Sequence, residues 1–154
     1  MTSLKNLTDL MAALRHPETG CPWDIKQSSQ SISAYTLEET YELLHAIESN
    51  DARNMQEELG DLLFHIVFHA QMASEQGLFD IDDVIDGIVD KMTRRHPHVF
   101  GDDKDNQISD EELKSRWEQQ KEQEKTDPSR VLDEVGLGPQ FRQLAQGAPA
   151  DLIL

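Results

Sequence analysis

Between Glu38 and Asp61 the chain carries eight acids, Glu38, Glu39, Glu42, Glu48, Asp51, Glu57, Glu58 and Asp61, and a single base, Arg53. Their spacing matters more than their number. At about 100° per helical residue, Glu38 and Glu42 lie within about 40° of each other with Glu39 beside them, while Leu37, Leu44 and Ile47 take the other side. Glu58 and Asp61, three residues apart, share a face of the next helix. A break at Asn50 and Asp51 leaves a turn of only two or three residues, so the two helices pack antiparallel, which can bring Glu38, Glu39 and Glu42 opposite Glu58 and Asp61. The plain alternative is a solvated acidic face built from good helix formers. Against it, like charges at i and i+4 cost about 0.2–0.5 kcal/mol per pair, and no Lys or Arg stands at the complementary positions. A hard cation held through oxygen explains the cluster better. Mg²⁺ suits it, because it accepts carboxylate oxygens, keeps several waters and completes its octahedron with substrate phosphates.

The histidines test a rival chemistry. Glu42-Leu43-Leu44-His45 is a Glu-x-x-His, the motif of di-iron carboxylate bundles, but such sites need a second copy on another helix, and here Glu58-Leu59-Gly60-Asp61 stands in its place. His65 and His69 continue the stripe of Glu58 and Asp61 along a helix apolar enough that packed histidines are expected there. Farther on the sign of the charge reverses. Lys91, Arg94 and Arg95 fall within five residues, with Lys91 and Arg95 on one face, and Trp117 and Lys121 repeat the i, i+4 spacing. Cations answering a helix dipole are the plain reading of the first group. Taken together, cations for phosphates, a carboxylate-held metal and an aromatic for a base describe a nucleotide site. There is no Walker-type loop, since Gly136-Leu137-Gly138-Pro139 lacks the Lys and Ser or Thr it needs.

The elements that must position these residues are all helical. Leu4, Leu7, Met11 and Leu14 repeat at helical spacing until Pro17 and Gly20, and a loop is expected from Cys21 to about Ala34. Helices are expected from Tyr35 to about Ser49, from Ala52 to Gln76 ending at Gly77, and from Asp80 to Arg95, where Pro97 stops the run. Residues 101–108 read as a loop, and Ser109 caps a polar fifth helix reaching about Lys125. No segment alternates polar and apolar residues for long. The fold class is therefore all-α, with antiparallel helices in one domain over residues 1–126 and an irregular tail over 127–154. Phe64 and Phe68 point to a different side of the long helix from Leu59, Leu63 and Val67, more apolar surface than a two-layer monomer covers, so a homodimer is expected.

Composition narrows the partners. With 30 acids against 14 basic residues the formal charge of the 154-residue chain is −16, which disfavours nucleic acid and anionic membrane. Cys21 is the only cysteine, so neither an intramolecular disulfide nor a Cys-rich zinc site is available. Met1 to Arg15 does not read as a signal peptide, and Leu62 to Ala70 is far short of a membrane span, so a cytoplasmic location is expected.

These residues resemble a known family, the MazG-like nucleoside triphosphate pyrophosphohydrolases, whose signature is Glu-Glu-x-x-Glu followed on the next helix by Glu-x-x-Asp. It stands here as Glu38-Glu39-Thr40-Tyr41-Glu42 and Glu58-Leu59-Gly60-Asp61. The likeness extends through Gly20-Cys21-Pro22-Trp23-Asp24 and Arg94-Arg95-His96-Pro97-His98-Val99-Phe100 to Trp117-Glu118-Gln119-Gln120-Lys121. It covers residues 4–135 and is similar to the first domain of two-domain members, with no second acidic signature after it. The resemblance implies a four-helix-bundle-like core completed by dimerisation or a higher homo-oligomer. It also implies hydrolysis of NTPs or dNTPs to the monophosphate and diphosphate in nucleotide-pool housecleaning, with Mg²⁺ required and Mn²⁺ as a substitute. By position, Glu38, Glu39, Glu42, Glu58 and Asp61 would hold the metal and carry catalysis. Lys91, Arg95 and Lys121 would contact phosphates and Trp117 the nucleoside. A non-catalytic dimerisation or regulatory module and, more distantly, a di-iron protein are the competing readings.

Overall fold

The computed structural model describes residues 3–101 and 108–125. Its helices are α1 (Leu4–Leu14), α2 (Ser29–Glu48), α3 (Ala52–Glu75), α4 (Ile81–Arg95), α5 (Pro97–Phe100) and α6 (Asp110–Lys125), with a 3-10 turn at Asp24–Lys26. No strand occurs among the described residues, so the all-α expectation holds. The expected tail over 127–154 and most of the loop over 101–108 lie outside the described residues.

The chain divides into two compact units, one from Met1 to Lys91 and one from Met92 onward. In the first, α1 and α2 both pack on α3. Met11 from α1, Ile32 from α2 and Val67, Phe68 and Met72 from α3 make its buried core, with Leu7, Phe64 and Ile81 packed against it. Val67 therefore belongs with Phe68 in the core, whereas Leu59, Leu63 and Ile66 form a separate stripe that stays 49%, 42% and 42% exposed. In the second unit the described elements are the end of α4, α5 and α6.

Local chemistry explains the boundaries. Gly20 folds back on the end of α1, its N–H donating to the His16 carbonyl at 2.8 Å and the Cys21 N–H to that of Leu14 at 2.7 Å. A Cβ at Gly20 would collide with the Leu14 and His16 backbone, so only glycine fits this return. Arg15 then ties the returning segment down. Its guanidinium donates to Glu75 at 2.8 and 2.6 Å and to the carbonyls of Asp24 and Gln27 at 2.5 and 3.3 Å, and it lies 5.5 Å from the Phe68 ring centre.

The serine-rich loop expected up to Ala34 is shorter than that. Helix α2 starts at Ser29, because Ser28 and Ser31 cap it reciprocally: the Ser31 N–H donates to Ser28 Oγ at 3.2 Å and the Ser28 N–H to Ser31 Oγ at 2.9 Å. Burial of Ile32 anchors that first turn to the core. Between α2 and α3, Asn50 takes a left-handed φ of 53°, which Asn tolerates, and Asp51 Oδ1 accepts from the N–H groups of Arg53 and Asn54 at 3.1 Å each. The result is the short turn that forces α2 and α3 antiparallel. Pro97 ends α4 but opens α5, where it occupies a first-turn position that needs no N–H.

Candidate functional site

Antiparallel packing of α2 on α3 sets which residues meet. Thr36 and Glu39, three apart, share a face of α2; Glu58, Asp61, His65 and His69 run in a stripe along α3 at spacings of three and four. Because the shared turn lies at residues 49–51, positions nearer to it pair with positions nearer to it. Glu42 thus faces Glu58, Glu39 lies near Asp61, and Thr36 reaches His65.

Glu39, Glu58 and Asp61 each offer a carboxylate oxygen within 4.8 Å of the others. Burial grades across the group: Glu58 is buried, Glu39 partly buried and Asp61 exposed. Burial is the first cause that holds the Glu39 carboxyl above its ordinary value, followed by the charges of Asp61, Glu42, Glu58 and Glu38. Glu58 is raised for the same first reason, then by Glu42, Asp61 and Glu57 and by a hydrogen bond shared with Glu42. Its second oxygen, Oε2, is buried with no hydrogen-bond partner among the described residues. A buried carboxylate oxygen without a donor is costly, and a cation relieves it together with the mutual repulsion. An all-oxygen donor set selects a hard divalent ion such as Mg²⁺ over softer metals. The residues present fit such an ion.

Glu38 and Glu42 stand outside that three-way group, although Glu42 shares a hydrogen bond with Glu58. They line a cavity of about 720 Å³ beside it, with Glu58 completing the acidic wall, Leu37 and Tyr41 supplying an apolar one, and His45 and Asn54 also facing in. The sequence gives no way to choose among Glu38, Glu39 and Glu42, since all three lie on one broad face. The rotation of α2 against α3 makes the choice.

No histidine enters the carboxylate group among the described residues, so the Glu-x-x-His at Glu42 and His45 does not assemble a mixed ligand set there. His65 and His69 are instead tied to a hydroxyl that sequence reasoning passed over. Thr36 Oγ1 lies 2.9 Å from His65 Nδ1 and 3.1 Å from His69 Nε2, while His65 Nε2 stands 4.0 Å from Glu39 Oε1. Burial pushes both imidazoles below their usual range, opposed at His65 by Asp61 and assisted at His69 by His65. A threonine one turn from an acidic motif was the only available signal.

Lys91 is partly buried on α4 in the first unit. In the second unit, the Arg95 guanidinium lies 4.9 Å from the Trp117 ring centre, and the His96 ring is 5.4 Å from Trp117 and 5.6 Å from His98. His96 Nδ1 lies 2.7 Å from the Met92 carbonyl, which can only accept, so that nitrogen carries the proton. These rings and Arg95 line a cleft of about 440 Å³ with Leu113 and Lys114. Lys121 lies on α6, its side chain outside the described residues. His96 and His98 were not singled out by spacing; the ring contacts identify them.

Residues 27–100 match the family description "MazG nucleotide pyrophosphohydrolase domain". A protein named nucleoside triphosphate pyrophosphohydrolase from Escherichia coli K12 is 47% identical over 137 residues, 88% of this chain and 51% of its own length. One from Thermotoga maritima, named nucleoside triphosphate pyrophosphohydrolase/pyrophosphatase MazG, is 48% identical over 121 residues, 79% of this chain and 45% of its own. The chain thus spans about half the length of these curated relatives. A crystal structure of a mazG-related protein from Thermotoga maritima superposes with a TM-score of 0.62 at 28% identity, covering 77% of this chain and 98% of that one.

Proposed function

The chain belongs to the MazG family through its domain at residues 27–100, and from that premise we propose that it hydrolyses nucleoside triphosphates between the α and β phosphates, giving the monophosphate and diphosphate. The observation that carries the reading is the convergence of Glu39, Glu58 and Asp61 around a buried, unpartnered Glu58 oxygen inside the matched domain.

In this reading Glu39, Glu58 and Asp61 hold Mg²⁺, or Mn²⁺ in its place, with Glu38 and Glu42 on the wall of the adjoining cavity. The ion supplies an acidified water and a counter-charge for the phosphoryl oxygens. The residues do the rest. Glu39 and Glu58, already raised by burial and repulsion, accept a cation more readily than they accept a further anion nearby. A carboxylate on the cavity wall, Glu38 or Glu42, orients the attacking water by accepting its proton. Lys91, Arg95 and Lys121 supply cations suited to phosphates. Trp117, already faced by Arg95, is an aromatic surface of the kind that receives a base. The proposed role is housecleaning of nucleotide pools in the cytoplasm, with no nucleic-acid or membrane partner. No helix among the described residues is long and apolar enough to cross a membrane.

The exposed stripe of Leu59, Leu63 and Ile66 supports a homodimer, because three adjoining apolar side chains on one helix face are the surface a second copy would cover. The enzymatic reading is tested with a panel of standard ribo- and deoxyribonucleoside triphosphates. Diphosphate released with Mg²⁺, and nothing released with chelator, is the expected result. Nucleotide binding without turnover would instead establish a non-catalytic module.

A further inference from the structure

We propose that Thr36 is a positioning residue that sets the tautomer of His65, so that the His65 Nε2–H faces Glu39, with His69 as the donor that completes the relay. The inference rests on the reading of Glu39 as a metal-holding carboxylate and extends it to residues that touch neither metal nor substrate.

A proton count carries the argument. A threonine hydroxyl has one proton to donate and two lone pairs to accept with. Thr36 Oγ1 has three neighbours: the Ile32 carbonyl at 3.2 Å, His65 Nδ1 at 2.9 Å and His69 Nε2 at 3.1 Å. If the hydroxyl proton went to Ile32 or to His69, His65 Nδ1 would have to donate. A neutral His65 would then turn the bare lone pair of Nε2 toward the Glu39 carboxylate, 4.0 Å away. His65 and Glu39 side chains are only 12% and 21% exposed, so water screens that repulsion poorly.

With both imidazoles neutral, one arrangement avoids the conflict. His69 Nε2–H donates to Thr36, Thr36 O–H donates to His65 Nδ1, and His65 is left with its proton on Nε2, aimed at Glu39 and attracted also by Asp61. Burial favours neutral imidazoles at both positions, as the arrangement requires. At 4.0 Å the His65–Glu39 pair is not a hydrogen bond; it is an oriented N–H dipole that holds one carboxylate oxygen and leaves the other available. The carbonyl of Ile32 loses nothing essential, since the helix already supplies it with a partner.

The test reads the tautomer directly, without turnover. Long-range proton–nitrogen NMR of the metal-free, ¹⁵N-labelled chain is expected to show His65 protonated at Nε2 and His69 protonated at Nε2. Thr36→Val should lose the His65 preference and weaken Mg²⁺ binding by calorimetry by about 10–100-fold, the usual effect of removing a residue behind a metal ligand. Thr36→Ser, which keeps the hydroxyl, should retain both. His65 protonated at Nδ1 in the unsubstituted protein would overturn the proposal, as would Thr36→Val binding Mg²⁺ like the unsubstituted chain with its tautomers unchanged. Should Thr36→Val fail to fold, the tautomer of the unsubstituted protein decides alone. A chain with the expected tautomer but no diphosphate release would sink the enzymatic reading and spare this one; active protein with the wrong tautomer would do the reverse.

Discussion

Replacing Arg15 by Met tests how the unit that carries the carboxylates is held together. The side chain is only 8% exposed, and Met keeps most of its volume while removing every donor. Two charge-assisted bonds to Glu75 are lost, but that carboxylate is 35% exposed and retains the Gln71 amide at 3.1 Å, so it rehydrates in part. The Asp24 and Gln27 carbonyls lose a charged donor, although Asp24 still accepts from the Gln27 N–H at 3.1 Å, and the contact with Phe68 loses its cation. Weighing the partly screened ion pair, the carbonyl bonds and the cation–π contact gives a cost of about 3 kcal/mol. Chemical denaturation at neutral pH measures it. The pH dependence has a fixed sign, because the Arg15 hydrogen bonds hold Glu75 below its ordinary carboxylate range. The contribution is complete above the unfolded-state value of 4.5 and disappears as pH falls through the lower folded-state value, so the gap between the two proteins narrows in acid. A cost below about 1 kcal/mol at neutral pH, or a gap that widens in acid, would refute the reasoning.

Two further outcomes follow from the same structure. Glu58→Gln removes a buried charge that has an unpartnered oxygen, so the metal-free protein should melt higher while losing the rise in melting temperature that Mg²⁺ gives the unsubstituted chain. Since burial and the neighbouring charges hold the Glu58 carboxyl above its ordinary value, its ionisation costs the folded metal-free state, and the melting advantage of the variant should grow as pH rises above 4.5; a variant that melts lower and keeps its full Mg²⁺ response contradicts this. Light scattering at micromolar concentration should find a dimer that Leu63→Glu converts to monomer, and a monomeric unsubstituted chain would remove the role assigned to the α3 stripe.

The long helices were legible because their signals are local. Leu4, Leu7 and Met11 mark α1, and Asn50–Asp51 and Gly77 bracket α3 to within a residue or two. The first turn of α2 was missed because serines carry no apolar period; its reciprocal cap and the burial of Ile32 become visible only when the chain is folded. At the site, the sequence showed that α2 and α3 pack antiparallel, which can bring their acids opposite each other. It could not show that Glu39 reaches both Glu58 and Asp61 while Glu42 meets Glu58, since that depends on helix rotation. Nor could it reveal the link from Thr36 to His65 and His69, which spans residues far apart in the chain.

The most direct measurement is Mg²⁺-dependent diphosphate release by Asp61→Ala, a substitution at an exposed position that should leave the helices intact. With folding checked by circular dichroism, the account expects release to drop to background while the unsubstituted chain turns over. A folded Asp61→Ala protein with full activity would contradict the assignment of Glu39, Glu58 and Asp61 to the metal.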